Sequence, residues 1–199
     1  ARMEEDPTKI PEMSTDDHSD FRTRFAAAHP DIVLIDSKEP HRRFVERLNR
    51  DYLVHGVVPC YELAEVRTRD ETIVQKPGFS KSAEDMLVMA QRDEVAPPVD
   101  VEAGLNRLHA MFMALEYLNI CAFSKETGPL EYLREIMIFM KEHRSLRALL
   151  VVDGLFRRKI HALQVNDRRS YPTFADTLID VLTNHKYLWN DARANLAAP

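Results

Sequence analysis

The stretch LNRLHAMFMALEYLNICAFS, residues 105–124, constrains the fold more than any other, because it is almost wholly apolar yet carries isolated polar side chains. At 100° per residue, Glu102, Asn106, His109 and Glu116 fall within a sector of roughly 80°. Nearly everything else from Leu108 onward is apolar. A helix with so narrow a polar stripe must be buried around most of its circumference, so other elements have to surround it. A bilayer span needs about 20 apolar residues. Here only Leu108 to Phe123 are mostly apolar, and Glu116 sits in their middle, so no membrane segment is expected. The run predicts a central core helix from about Asp100 to Phe123, with Leu108, Phe112, Leu115 and Leu118 among its packing residues.

The elements able to surround it are mostly helical. Upstream, Ser80 or Ser82 suits the N-cap of a helix carrying Met86, Leu87, Met89 and Ala90, ended by Pro97-Pro98. Downstream, Gly128 closes the long helix and Pro129 fits the first turn of the next, with Leu130, Leu133, Ile136, Met137 and Met140 on one face. A third segment runs from Ser145 to about Val165, with a kink or a break into two helices expected at Asp153-Gly154. Ser170-Tyr171-Pro172-Thr173 then opens a helix whose stripe is Phe174, Leu178, Val181, Leu182, His185 and Trp189. The fold class is therefore mainly α, a bundle of four or five helices over about residues 80–195.

The N-terminal part is less regular. Residues 1–20 hold seven acids against Arg2 and Lys9, with two prolines and few core-forming side chains, which reads as a flexible acidic tail. A short helix is expected from Asp20, with Phe21 and Phe25 four apart, ending before Pro30. Ile32–Ile35 is a short, β-branched apolar run that suits a buried strand. Phe44, Val45, Leu48, Tyr52 and Leu53 are spaced as a helix, stopped at Gly56. Thr72-Ile73-Val74 looks like strand, with Arg69-Asp70-Glu71 as a turn before it, although Tyr61–Arg69 also suits one helix. A small β element within 30–76 is thus accommodated. The chain divides into a tail at 1–20, a mixed helix and short-strand subdomain at 21–78, and a helical bundle domain at 79–199.

Charge and cysteine usage exclude several classes. The net charge of −5 resides in the first 20 residues, leaving a near-neutral body unlike that of a strongly basic nucleic-acid binder. Cys60 and Cys121 form no CxxC pair, so a disulfide framework is not expected and a reducing, intracellular compartment is. The acidic opening is the opposite of a secretory leader. The chain begins at Ala1, which suits a domain of a larger polypeptide.

No fixed-spacing catalytic motif is present. The five glycines are scattered, so no phosphate-cradling loop can form from a glycine cluster. HExxH, the EF-hand pattern and GxSxG are also absent. No cofactor and no metal site is expected, because no local His/Cys set has zinc-ligand spacing. An enzyme with a dispersed site around His109 and Glu116, joined by His143 or His161, is one alternative. Against it, seven residues of helix separate the two by about 10.5 Å along the axis. The simpler expectation is that the stripe is where a buried helix meets water. Cys121 within its apolar run is expected in the core, and Met111, Met113, Met137 and Met140 are expected to fill core gaps. A methionine turned outward would instead indicate a partner helix or self-association.

The most informative charge pattern lies between Lys141 and Arg169. Lys141, Arg144, Arg147, Arg157, Arg158, Lys159, Arg168 and Arg169 face only Glu142, Asp153 and Asp167, leaving +5 over 29 residues. Such a segment suits an anionic partner surface, the acidic N-terminal residues being one such partner. Phe156 and Tyr171 nearby suit base stacking or core positions equally. The expectation is a non-enzymatic helical interaction or assembly module, with a protein partner or self-association, that uses residues 141–169 for an anionic partner. A nucleic-acid-binding domain using the same residues is the first alternative.

Overall fold

The computed structural model describes residues 13–71, 74–81, 87–94 and 96–198. Its first helix, α1 (Thr15–Ala28), is started by Ser14, whose hydroxyl accepts from the Asp17 amide while the Asp17 carboxylate accepts from the Ser14 amide. This reciprocal cap satisfies two otherwise orphaned donors. It draws Thr15–Asp20, read above as the end of an acidic tail, into the helix that buries Phe25. Residues 1–12 lie outside the described residues. His41 caps α2 (Arg42–His55), and Gly56 ends it in the left-handed region at φ 68°. Phe44, Val45 and Leu48 form its buried face.

Ile32–Ile35 is not a strand. Val33 and Ile35 are exposed while Ile32 and Leu34 lie against the core, so the run alternates as a strand would but has no ladder partner. The nearest pairing is a single bridge between Pro40 and Thr68. Tyr61–Arg69 contains only a 3₁₀ turn, Leu63–Glu65. The described β structure lies later: β1 (Val74–Lys81) and β2 (Leu87–Glu94) pair antiparallel, with Val74 opposite Glu94 and Lys81 opposite Leu87. The helix expected around Leu87, Met89 and Ala90 is thus replaced by β2, since a short apolar run does not distinguish strand from buried helix. Met86, Thr72 and Ile73 lie outside the described residues.

The long apolar helix is α3 (Val101–Tyr117), with the Asp100 side chain accepting from the Ala103 amide. It ends about six residues before Phe123, because Asn119 turns the chain at φ 56°, a conformation Asn tolerates better than most residues. Cys121 and Phe123 then fold back into the core. Gly128, at φ 106°, reverses the chain into α4 (Pro129–Glu142). The buried face of α4 is Pro129, Tyr132, Ile136, Phe139 and Met140. Leu130 and Met137, assigned above to that face, point to solvent, because the two aromatic rings bury more area than a leucine and a methionine would.

Ser145 caps α5 (Leu146–Asn166), one continuous helix through Gly154 with no break. Leu149, Val152, Phe156 and Ile160 hold an uninterrupted stripe, and Asp153 is tied to Arg157 one turn on. The last expected helix is two, α6 (Phe174–Asn184) and α7 (Tyr187–Ala197), separated at His185. Trp189 still reaches the core, its ring 4.5 Å from that of Phe156. Five helices occupy 101–197, but α1 and α2 bring the described total to seven, so the bundle count of four or five is too low for the molecule. The molecule is mainly helical, and one contiguous core runs from Phe25 to Ala192 around α3 and α5.

Candidate interaction surface

α5 decides where the basic side chains go. Positions 147 and 158 are eleven residues apart, three turns, so both arginines fall on one line about 16 Å apart on the solvent face. Both are exposed, and Arg147 reaches the Asn195 carbonyl at 3.4 Å. Lys141, on the outer face of α4, and Arg144, in the turn before α5, are exposed. Lys159 is half-buried beside Arg158.

The remaining members serve the fold. Arg157 is turned about a quarter of a circle toward the core and is only 8% exposed. Its Nε lies 2.6 Å from the Asp153 carboxylate, and Nη1 donates to the Tyr61 carbonyl at 3.1 Å. Asp153 also accepts the Tyr132 hydroxyl at 2.8 Å, and burial holds that phenol well above its ordinary pKa. Arg168 donates to the His55 carbonyl at 2.8 Å, at the C-terminal end of α2, where a positive charge is favourable. Arg169 is exposed just past the end of α5, whose last residue, Asn166, is about 28 Å from Arg147 by helix rise. The eight residues therefore do not converge: Arg147 and Arg158 share one solvent face of α5, and Lys141 and Arg144 are exposed ahead of it in the chain. Phe156 is fully buried, and the Tyr171 hydroxyl is held by Asp180 at 2.9 Å.

α4 supplies a feature that sequence spacing hid. Opposite its buried face run Leu130, Arg134, Met137, Ile138 and Lys141. Met137 is 56% exposed, Ile138 41% and Leu130 40%. Met111, Met113 and Met140 are core residues, so Met137 is the outward methionine of the four considered. Arg134 bridges Glu131 and Glu135 at the N-terminal half of this face, while Lys141 stands at its other end.

His109 and Glu116 are not paired with each other. Glu116 lies 2.6 Å from His29 Nε2 and accepts the Phe123 amide at 3.3 Å, so it joins α1 to the loop after α3. His109 Nδ1 lies 3.3 Å from the Lys38 carbonyl oxygen, and its ring meets Phe123 edge-on. Burial lowers its pKa below the usual imidazole value. His143 stacks on Phe139, and His161 Nδ1 lies 3.1 Å from the Val58 carbonyl oxygen. Among the described residues, no three His, Cys, Asp or Glu side chains are grouped to hold a metal ion. Cys121 is buried with its thiol raised to about 11, chiefly by desolvation, while Cys60 is exposed. No described helix is long and apolar enough to cross a membrane.

The charged residues that sequence reasoning overlooked are Arg107 and Glu71, 2.9 Å apart, with Arg107 buried on α3 away from the polar stripe. Their separation of 36 residues carries no local signal. Compared with protein-family models, curated proteins and solved structures, the chain matches none.

Proposed function

We propose that the protein is a helical assembly module that self-associates through the outer face of α4 and leaves the exposed Lys141, Arg144, Arg147 and Arg158 for an anionic partner. The single observation that carries this reading is the exposed Leu130–Met137–Ile138 stripe, three large apolar side chains on one helix face that the core does not use. Glu131 and Glu135 share Arg134 near the start of that face, leaving one net negative charge there, and Lys141 stands at its end, so an antiparallel second copy sets the start of one face against Lys141 of the other. A single 14-residue helix is about 21 Å long, and such a face is small against the ~800 Å² per partner of a stable interface. The association is therefore weak and concentration-dependent. Sedimentation velocity over a wide concentration series tests it: wild type shifts toward dimer, whereas Met137→Glu stays monomeric with an unchanged thermal midpoint. A wild-type protein that remains monomeric throughout defeats the reading.

A second reading, nucleic acid on the same basic residues, is supported by Arg147 and Arg158 sharing one solvent face. Binding to labelled DNA and RNA across a salt series tests it. The expected result is a steep salt slope that flattens on charge reversal at Arg147 and Arg158; absence of binding at low salt removes this reading.

A further inference from the structure

A cleft unrelated to the α4 face lies between α5, the segment 60–64 and Pro97-Pro98. It encloses about 330 Å³, within the lower range of small-ligand sites. Its two non-helical walls are fixed. Buried Arg67 and Arg107 each donate to both the Ala64 and Ala96 carbonyls, at 2.9–3.3 Å, and Arg107 is anchored in turn by Glu71. Loop walls tied in this way hold a preformed shape instead of collapsing onto α5.

α5 contributes two guanidinium groups to this cleft. Arg157 is more than nine-tenths buried, and its Nη2 is buried without an acceptor. Its Nε is close to Asp153 but too poorly aligned for a hydrogen bond. Nη2 is closed off from solvent, so Arg157 lends the cleft positive charge from within its wall and direct contact with a ligand falls to Arg158. Arg158 folds across Gly154, where an added Cβ would lie 3.1 Å from Arg158 Nη1. The glycine thus makes room for the second guanidinium against the helix. Leu63, Leu150 and the two prolines supply apolar walls. Asp153 and Glu62 also line the space, so the four charged groups balance and a ligand with a second negative charge is disfavoured.

We propose that this cleft binds a small organic carboxylate, its single negative charge on Arg158 with buried Arg157 behind it, and its compact apolar body against Leu63, Leu150, Pro97 and Pro98. The site does not depend on self-association. Cys60 lines the same cleft and is exposed, whereas Cys121 is buried, so alkylation of Cys60 by neutral iodoacetamide reports occupancy.

The experiment follows Cys60 alkylation in the whole chain by mass spectrometry, with benzoate as probe and uncharged benzamide as its control. The expected result is a saturable, severalfold slowing by benzoate and none by benzamide. Arg158→Gln loses the protection. Arg158 is exposed, so its variant folds even if an Arg157 variant does not. Met137→Glu keeps full protection, which separates failure of this proposal from failure of the α4 reading. Equal effects of benzoate and benzamide, no protection by either, or full protection in Arg158→Gln would overturn the proposal.

Discussion

Removing the Asp153 carboxylate leaves the Arg157 guanidinium charged, buried and without its counter-ion, and also strands the Tyr132 hydroxyl. Breaking one side of such a pair costs about 3–5 kcal/mol. Asp153→Ala is therefore expected to lower stability by that order in chemical denaturation. The double change Asp153→Leu with Arg157→Met is expected to recover most of the loss, because the desolvation penalty leaves with the charges. His109 gives a pH signature of definite sign. Its folded-state pKa lies below 6.5 because burial disfavours the imidazolium. On acidification the unfolded chain takes up the proton first, so stability falls as pH drops through about 6.5 and levels off below the folded-state value. His18 shifts in the same direction, also chiefly through burial, and contributes a loss of the same sign. His109→Gln is expected to lose less stability than wild type between neutral and mildly acidic pH, measured by denaturation midpoints at each pH.

Among the elements, α3 and α5 pack closely at Gly104, where an added Cβ would lie 2.6 Å from Leu149 Cδ2. Alanine gains about 0.8–1 kcal/mol of helix propensity over glycine, but overpacking a tight core costs about 1–3 kcal/mol. Leu149 is fully buried and has nowhere to retreat, so Gly104→Ala is expected to destabilise the fold, read as a lower thermal midpoint. Elements were legible where one local device sets them. Asp100, Ser145 and Thr173, where helices are expected to start, are N-caps, and Gly56 and Pro129 fall at the expected ends. Ile32–Ile35 and Leu87–Ala90 were misread because a short apolar run says little about what it pairs with. The outer face of α4 was misread for a related reason. Leu130 and Met137 have helical spacing, but so do Tyr132, Ile136 and Phe139, and the aromatic rings occupy the core.

At the scale of the whole molecule, the basic segment that stands out in the sequence is divided by the fold between structural and solvent-facing roles. Arg157 holds α5 to the segment at Tyr61, and Arg168 caps α2, both through partners about a hundred residues away that no local pattern reveals. The pairing of Asp153 with Arg157, four apart on an apolar helix, was the legible hint that one of these arginines faces inward. What remains outward is the Arg147 and Arg158 pair on α5 and, on α4, an apolar face. On the proposed function, copies of the chain meet at this α4 face. Oxidative cross-linking checks this, with Met137→Cys in a Cys60→Ser background and Leu53→Cys, more exposed still but at the end of α2, as control. A concentration-dependent disulfide dimer is expected for Met137→Cys and little for Leu53→Cys; equal yields from the two, or none from Met137→Cys, would rule out the α4 face as the meeting surface.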